Sequence, residues 1–357
     1  MEPQFLIIAV LTSFVLGVII TPRLVRLCIR KNWTDIPNHR KVHNRPIPRL
    51  GGLIFLPCAA LSFAIPMLVF NFLTQGDITI HFSTICMVLG ASAIYLVGLV
   101  DDIQELRANT KFVIQFVAAL IFPLCNLLIN DLHGFLGIHE MPYFVSYPLT
   151  VFVILLITNS INLIDGIDGL ASGLSIFILS SFIYLFYQKG QFNFALIAAA
   201  TLGTVISFFC YNVWGHVGRN KIFMGDSGSL FLGYVISYLC IKYQMDDHYI
   251  FYDEGALLTS FTLVIIPTFD VIRVALTRRL HGIDIFTPDK THIHHHFMAM
   301  GLDMHQTLIS ILLLFMGLCG FNYLLFEMEI PVECIVLGDV IFYSLTIFFT
   351  FLLKKQN

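Results

Sequence analysis

Charge is what this chain has least of. Among its 357 residues only 12% are Asp, Glu, Lys or Arg, about half the share usual in a soluble domain, while 57% are hydrophobic and 34 are Phe. That balance excludes a soluble globular protein and leaves an all-α polytopic membrane protein, with no nucleic-acid partner expected. The eight cysteines, Cys28, Cys58, Cys86, Cys125, Cys210, Cys240, Cys319 and Cys334, lack pairwise metal-ligand spacing and read as small apolar core residues. Residues 1–20 lack the basic leader and small-residue cleavage site of a signal peptide, so they read as a retained first span. No internal repeat, low-complexity tract or soluble domain is visible, and residues 1–357 read as a single transmembrane domain.

What is there is a series of apolar windows long enough to cross about 30 Å of hydrocarbon. They fall near 4–21, 52–72, 83–100, 112–130, 146–163, 170–188, 193–211, 229–245, 255–276, 306–326 and 333–353, which predicts eleven transmembrane helices. Alternate loops then collect 18 of the 20 Lys and Arg on one side, leaving only Lys189 and Lys242 on the other. The positive-inside rule makes the first side cytoplasmic, with the N-terminus out and the C-terminus in. Four polar motifs fall on that same face although hydropathy and basic-residue counts did not use them, which points to one cytoplasmic site.

The central motif is Asn159-Ser160-Ile161-Asn162-Leu163-Ile164-Asp165-Gly166-Ile167-Asp168-Gly169. If the helix of residues 146–164 runs on through Asp165, then Asn159, Asn162 and Asp165 share one face. Asp168 follows Gly166 and reaches the same place from the next turn. Such a set suits a cation or a sugar-nucleotide, while the plain alternative is helix capping. Asp101-Asp102 ends the third window; adjacent residues on a helix diverge by about 100°, so one carboxylate faces a reacting centre while the other orients a neighbouring cation or helix end. Otherwise the pair simply marks a span end beside Arg107. Lys111, opening the next window, reads as a phosphate-binding charge or as an interfacial lysine.

Phe223-Met224-Gly225-Asp226-Ser227-Gly228-Ser229 precedes the eighth window and offers a carboxylate for a hard cation or a helix N-cap. His292-Ile293-His294-His295-His296 follows Asp289 and Lys290; without acidic or Cys partners at zinc spacing, hydrogen bonding to a pyrophosphate or sugar is the better reading. Arg40 to Gly52, which includes Arg49, suits lipid head groups or nucleotide charges, or is simply a topology signal.

In this order the motifs resemble the polyprenyl-phosphate N-acetylhexosamine-1-phosphate transferases, the family of the peptidoglycan enzyme MraY and the polysaccharide initiators WecA and TagO. The likeness runs from Arg40 to about Gly301. It implies ten or eleven helices in a bacterial inner membrane, a cytoplasmic site, Mg²⁺ with Mn²⁺ as a substitute, and transfer of a sugar-1-phosphate from a UDP-N-acetylhexosamine to undecaprenyl phosphate with release of UMP. By the resemblance Asp226 is the metal ligand with Asn159 as its neighbour, and Asp101, Asp102 and Asp168 are the catalytic carboxylates, Asp101 engaging the lipid phosphate. Lys111, Asn162, Asp165, Phe223, Arg49, His292, His294 and His295 would bind substrate. The His-Ile-His-His signature and the Arg-Lys-Val-His stretch at 40–43 imply a UDP-GlcNAc donor rather than the muramoyl-pentapeptide donor. Membrane lipids are the surroundings, and a homodimer is implied by analogy alone. The rival class is an ion-coupled transporter, against which stand the clustering of polar groups at span ends and the lack of repeated halves.

Overall fold

The computed structural model describes residues 3–35, 46–74, 82–245, 253–284, 287 and 289–353. The stretch Arg40-Lys41-Val42-His43 and the tail Lys354-Lys355 lie outside the described residues. Thirteen α-helices make up the described fold: α1 Pro3–Lys31, α2 Phe55–Thr74, α3 Phe82–Gln104, α4 Ala108–Leu124, α5 Tyr143–Ile164, α6 Leu170–Gln188, α7 Phe192–Val213, α8 Asp226–Gln244, α9 Ala256–Leu263, α10 Ile265–Leu280, α11 Ile293–Ala299, α12 Met304–Glu327 and α13 Val332–Leu352. The two short strands among the described residues pair antiparallel, Thr34–Asp35 against Ile47–Pro48, and a single antiparallel bridge joins Asp131 and Glu140.

Eight of the helices are long and apolar enough to cross a membrane: α1, α2, α3, α5, α6, α7, α12 and α13. The protein is therefore a multi-pass membrane protein, and each of the other three predicted windows departs from a simple span for its own reason. The window 112–130 overshoots α4, which ends at Leu124; Leu127, Leu128 and Ile129 are apolar because they are buried as irregular chain, with the Ile129 amide donating to Thr150 Oγ1 at 2.9 Å. The window 255–276 is a pair of helices bent by 68°. Pro267 is the third residue of α10, where its ring clashes with the carbonyl four residues back and stops α9 at Leu263.

The third departure is α8, which mixes Ser227, Ser229, Ser237 and Lys242 with apolar residues. Every residue from Ser227 to Gln244 is buried by protein, so this helix need not be apolar enough to face lipid. Around it pack α2, α3, α5, α6 and α9. Its polar groups find partners inside: Tyr234 donates to the Ala118 carbonyl at 2.9 Å, and Tyr238 shares a hydrogen bond with Thr84 at 3.2 Å.

Small residues set the closest helix contacts, as expected where no solvent drives helices together. A Cβ added at Gly203 would meet the Val10 carbonyl at 2.1 Å, and one at Gly17 would meet Ser207, which is how α1 and α7 come together. Cys86 and Cys125 form a disulfide, contrary to the reading of all eight cysteines as isolated core residues. They stand 39 residues apart in sequence, so short-range spacing carries no trace of the pair; the α3–α4 hairpin makes it.

Candidate active site

The site grows from the contact between α3 and the start of α8. A Cβ at Gly98 would lie 2.6 Å from both N and Cα of Ser227, so these backbones touch. One turn further along α3 come the paired carboxylates, and they diverge. Asp102 accepts from the Asp226 amide at 2.8 Å, the Ser227 amide at 3.0 Å and Ser227 Oγ at 2.7 Å, satisfying the free donors of the first turn of α8. Asp101 turns the other way, accepting from the Leu106 amide at 2.7 Å and from Lys111 Nζ at 2.9 Å. The same ammonium donates to Asp226 Oδ2 at 2.7 Å, so Lys111 ties a carboxylate of α3 to one of α8.

From the opposite side the chain around Pro48–Gly52 holds the turn before α8. Phe223 N donates to the Pro48 carbonyl at 2.8 Å, while Gly51 N and Gly52 N donate to the carbonyls of Phe223 and Met224 at 2.8 and 2.7 Å. Gly225 lies at φ +74°, and a Cβ there would strike the Arg49 carbonyl at 2.2 Å as well as the Asp102 carboxylate. Only glycine fits both the backbone and the space.

The other wall is the turn after α5. The helix stops at Ile164, with Asp165 as its C-cap. Asp168 is fixed by Lys221 Nζ at 2.6 Å and by the Asn212 amide at 3.2 Å, and Asn212 Oδ1 in turn accepts from the Gly169 amide at 2.7 Å. Asn162 donates to Ser229 Oγ at 2.8 Å, joining α5 to α8. His294 is 2% exposed and presses its ring edge against Gly166, where an added Cβ would come within 2.3 Å of Nε2.

These groups surround one cavity of about 770 Å³, within the usual range for small-ligand sites. Six carboxylates line it, Asp35, Asp101, Asp102, Asp165, Asp168 and Asp226, against the cations Arg49 and Lys221, together with Asn162, Phe223, His294 and His295. Burial and the charges of Asp168, Asp226 and Asp102 push Asp165 up to about 8. Burial, then the neighbouring His295, holds His294 down to about 3, which keeps it a neutral imidazole. No group of three or more His, Cys, Asp or Glu among the described residues closes into a metal site. Asp226 and Asp165 instead offer the one or two carboxylates that a hard divalent cation takes when phosphate oxygens complete its shell. The surplus of carboxylate over cationic side chains in the lining fits that role.

Several predicted site residues stand elsewhere. Each step of three residues falls about 60° short of a full turn, so Asn159 lies about 120° round α5 from its C-cap Asp165 and does not share its face. Asn159 donates to Gln115 Oε1 and to the Leu155 carbonyl, each at 2.8 Å, and is not part of the cavity wall. Lys111 lies behind the wall on its two carboxylates. His292 is turned away, its Nδ1 on Asp270 Oδ2 at 2.7 Å, and His296 faces α13 through Thr350 at 3.4 Å. Arg49 lines the cavity and reaches Glu105 at 3.3 Å. Asp35, Asn212 and the ion pair of Lys221 with Asp168 were not foreseen. A single amide closing the long apolar run of α7 was the one sequence sign of Asn212.

This cavity of opposed carboxylates and cations belongs to a glycosyl transferase: residues 84–244 match glycosyl transferase family 4. The chain is 33% identical over 345 residues, covering 96% of it and 90% of the relative, to a probable undecaprenyl-phosphate N-acetylglucosaminyl 1-phosphate transferase of Bacillus subtilis. It is 31% identical over 306 residues (83% and 79%) to an undecaprenyl-phosphate alpha-N-acetylglucosaminyl 1-phosphate transferase of Yersinia pestis. A decaprenyl-phosphate N-acetylglucosaminephosphotransferase of Mycobacterium tuberculosis is 30% identical over 334 residues (87% and 80%). The chain belongs to this family, that of the polyprenyl-phosphate N-acetylhexosamine-1-phosphate transferases.

Proposed function

We propose that this protein transfers GlcNAc-1-phosphate from UDP-GlcNAc to undecaprenyl phosphate, giving undecaprenyl-pyrophosphoryl-GlcNAc and UMP. The observation that carries the reading is the single cavity in which Asp101, Asp226, Asp165 and Asp168, distant in sequence, meet Arg49, Lys221 and His294; the names of the relatives supply the substrates. A lipid-phosphate oxygen attacks the β-phosphorus, the bond from that phosphorus to the bridging oxygen breaks, and UMP leaves with the electron pair. A phosphomonoester has its second pKa near 6, so the acceptor is already largely a dianion and the site needs no strong base.

The residues divide the work accordingly. Asp102 holds the first turn of α8, and with it Asp226, at the floor of the cavity. Asp101 faces the acceptor phosphate, and Lys111, bonded to Asp101 and Asp226 behind the wall, offsets the negative charge there. Lys221 and Arg49 face the donor pyrophosphate, Asp168 keeps Lys221 in place, and neutral His294 offers a hydrogen bond without adding charge. Mg²⁺, held by Asp226 and Asp165, supplies neutralisation of pyrophosphate charge when bound.

For the setting we propose eleven spans in a bacterial inner membrane, counting α4, α8 and the bent α9–α10 pair, with the N-terminus out and the cavity cytoplasmic. The Lys and Arg distribution supports this. So does the Cys86–Cys125 disulfide, which lies at the end of the α3–α4 hairpin opposite Asp101 and Lys111 and persists in an oxidising compartment.

Purified protein with UDP-GlcNAc, undecaprenyl phosphate and Mg²⁺ is expected to form UMP and the lipid-linked sugar in equal amounts, and Asp226→Asn to abolish both. No UMP from any UDP-sugar, together with solute uptake by loaded liposomes, would point to transport instead.

A further inference from the structure

Below the cavity lies a second polar centre that the transfer reaction does not use. Asp270, on α10, is fully buried, and four donors converge on its carboxylate. Oδ1 accepts from Arg273 Nη2 at 2.7 Å, the Ile293 amide at 2.9 Å and Tyr343 Oη at 3.1 Å; Oδ2 accepts from His292 Nδ1 at 2.7 Å. The donors come from α10, from α13 and from the start of α11. Arg273 adds a bond to the Thr291 carbonyl, and Asp289 accepts from Arg278 at 2.8 Å and from the Thr291 amide at 3.0 Å, so the entry to α11 is fastened twice.

A buried carboxylate with this many donors is justified by what it fixes. α11 has only seven residues, too few to be stable as a helix alone, yet it carries His294 and His295 into the cavity. The seat is tight: His294 abuts the backbone at Gly166, between Asp165 and Asp168. A displacement of about 1 Å in a positioned group is enough to cost on the order of a hundredfold in rate.

We propose that Asp270 is the positioning residue of the histidine helix: through His292 Nδ1 and the Ile293 amide it seats α11 so that His294 and His295 face the donor, while His292 touches no substrate. The kinetic part rests on the transfer activity proposed above. Because the seat lies against the turn of Asp165 and Asp168 rather than beside Asp101 and Lys111, the effect falls on the donor and not on the lipid acceptor.

Two substitutions of His292 separate the roles of its nitrogens. Asparagine places an amide where Nδ1 stands, whereas glutamine places one where Nε2 stands. His292→Asn is expected to keep KM for UDP-GlcNAc within about threefold of wild type. His292→Gln and Asp270→Asn are expected to raise that KM at least tenfold, leaving KM for undecaprenyl phosphate unchanged. Hydrogen–deuterium exchange over residues 289–300 is expected to rise in Asp270→Asn and His292→Gln, with α8 unaltered. This exchange readout needs no turnover, so a wild type that releases no UMP defeats the proposed activity without deciding the role of Asp270. The proposal is overturned if His292→Gln is active and His292→Asn is not, if both are fully active, or if activity falls in either while exchange over 289–300 is unchanged. Should Asp270→Asn fail to fold, the His292 pair decides alone.

Discussion

The contact at Gly98 allows the sharpest perturbation of the site from outside it. A methyl group at this position would sit 2.6 Å from the Ser227 N and Cα, where ordinary contact begins at 3.4 Å. The obstacle is backbone on a helix buried on every side, so no flexible side chain can yield. The two helices must part by about 0.8 Å, and α3 carries Asp101 and Asp102 while α8 begins with Asp226. Overpacking of this kind costs about 1–3 kcal/mol of stability. Misplacement of reacting groups on that scale lowers the rate on the order of a hundredfold. Gly98→Ala is therefore expected to fold with a reduced thermal midpoint and to lose most of kcat for UMP release. Gly317→Ala is the control, because a Cβ there meets nothing within 4 Å and Ala is the better helix former. Wild-type kcat and midpoint in Gly98→Ala would refute the claim that this contact sets the spacing of the carboxylates.

Three further outcomes follow from the same geometry. Lys111→Met removes the cation shared by Asp101 and Asp226 and should destabilise the metal-free protein by about 1–3 kcal/mol, the scale of a charged hydrogen bond, in calorimetry of detergent-solubilised samples; an unchanged midpoint would count against the bridge. Reduction, or Cys86→Ser, should lower the midpoint by at most about 4 kcal/mol in stability, the chain-entropy figure for residues this far apart, and reductant should have no further effect on the variant. Because burial and neighbouring carboxylates raise Asp165 to about 8, the folded state holds that proton more tightly than the unfolded chain. Its contribution to stability is full below about pH 4 and is lost as pH rises toward 8. The midpoint of metal-free protein should therefore fall over that window more steeply than that of Asp165→Asn, and equal slopes would contradict the raised value.

Much of the architecture was legible because lipid imposes a length on apolar segments: eight of the predicted windows are helices of spanning length. What hydropathy misread has one cause, that buried protein and lipid are both apolar surroundings. Leu127–Ile129 were read as helix though they are packed chain, and α8 looked like any other span though protein encloses it. At the site, residue type and spacing were enough to nominate Asp101, Asp165, Asp168 and Asp226 as neighbours in one place. They were not enough to say where each side chain turns. Asn159 faces α4, about 120° round α5 from Asp165, because steps of three residues do not close a helical turn. His292 shares its signature with His294, and only the buried Asp270, 22 residues upstream, distinguishes the two. Asn212 and Lys221 reach Asp168 from about 50 residues away, which no local pattern reveals.

The most direct test is an electron cryomicroscopy map of the protein in lipid nanodiscs with UMP and Mg²⁺. The nucleotide is expected in the cavity among Asp165, Asp168, Phe223 and His294, with its phosphate toward Asp226. Nucleotide density elsewhere, or an unfilled cavity at saturating UMP, would contradict the account.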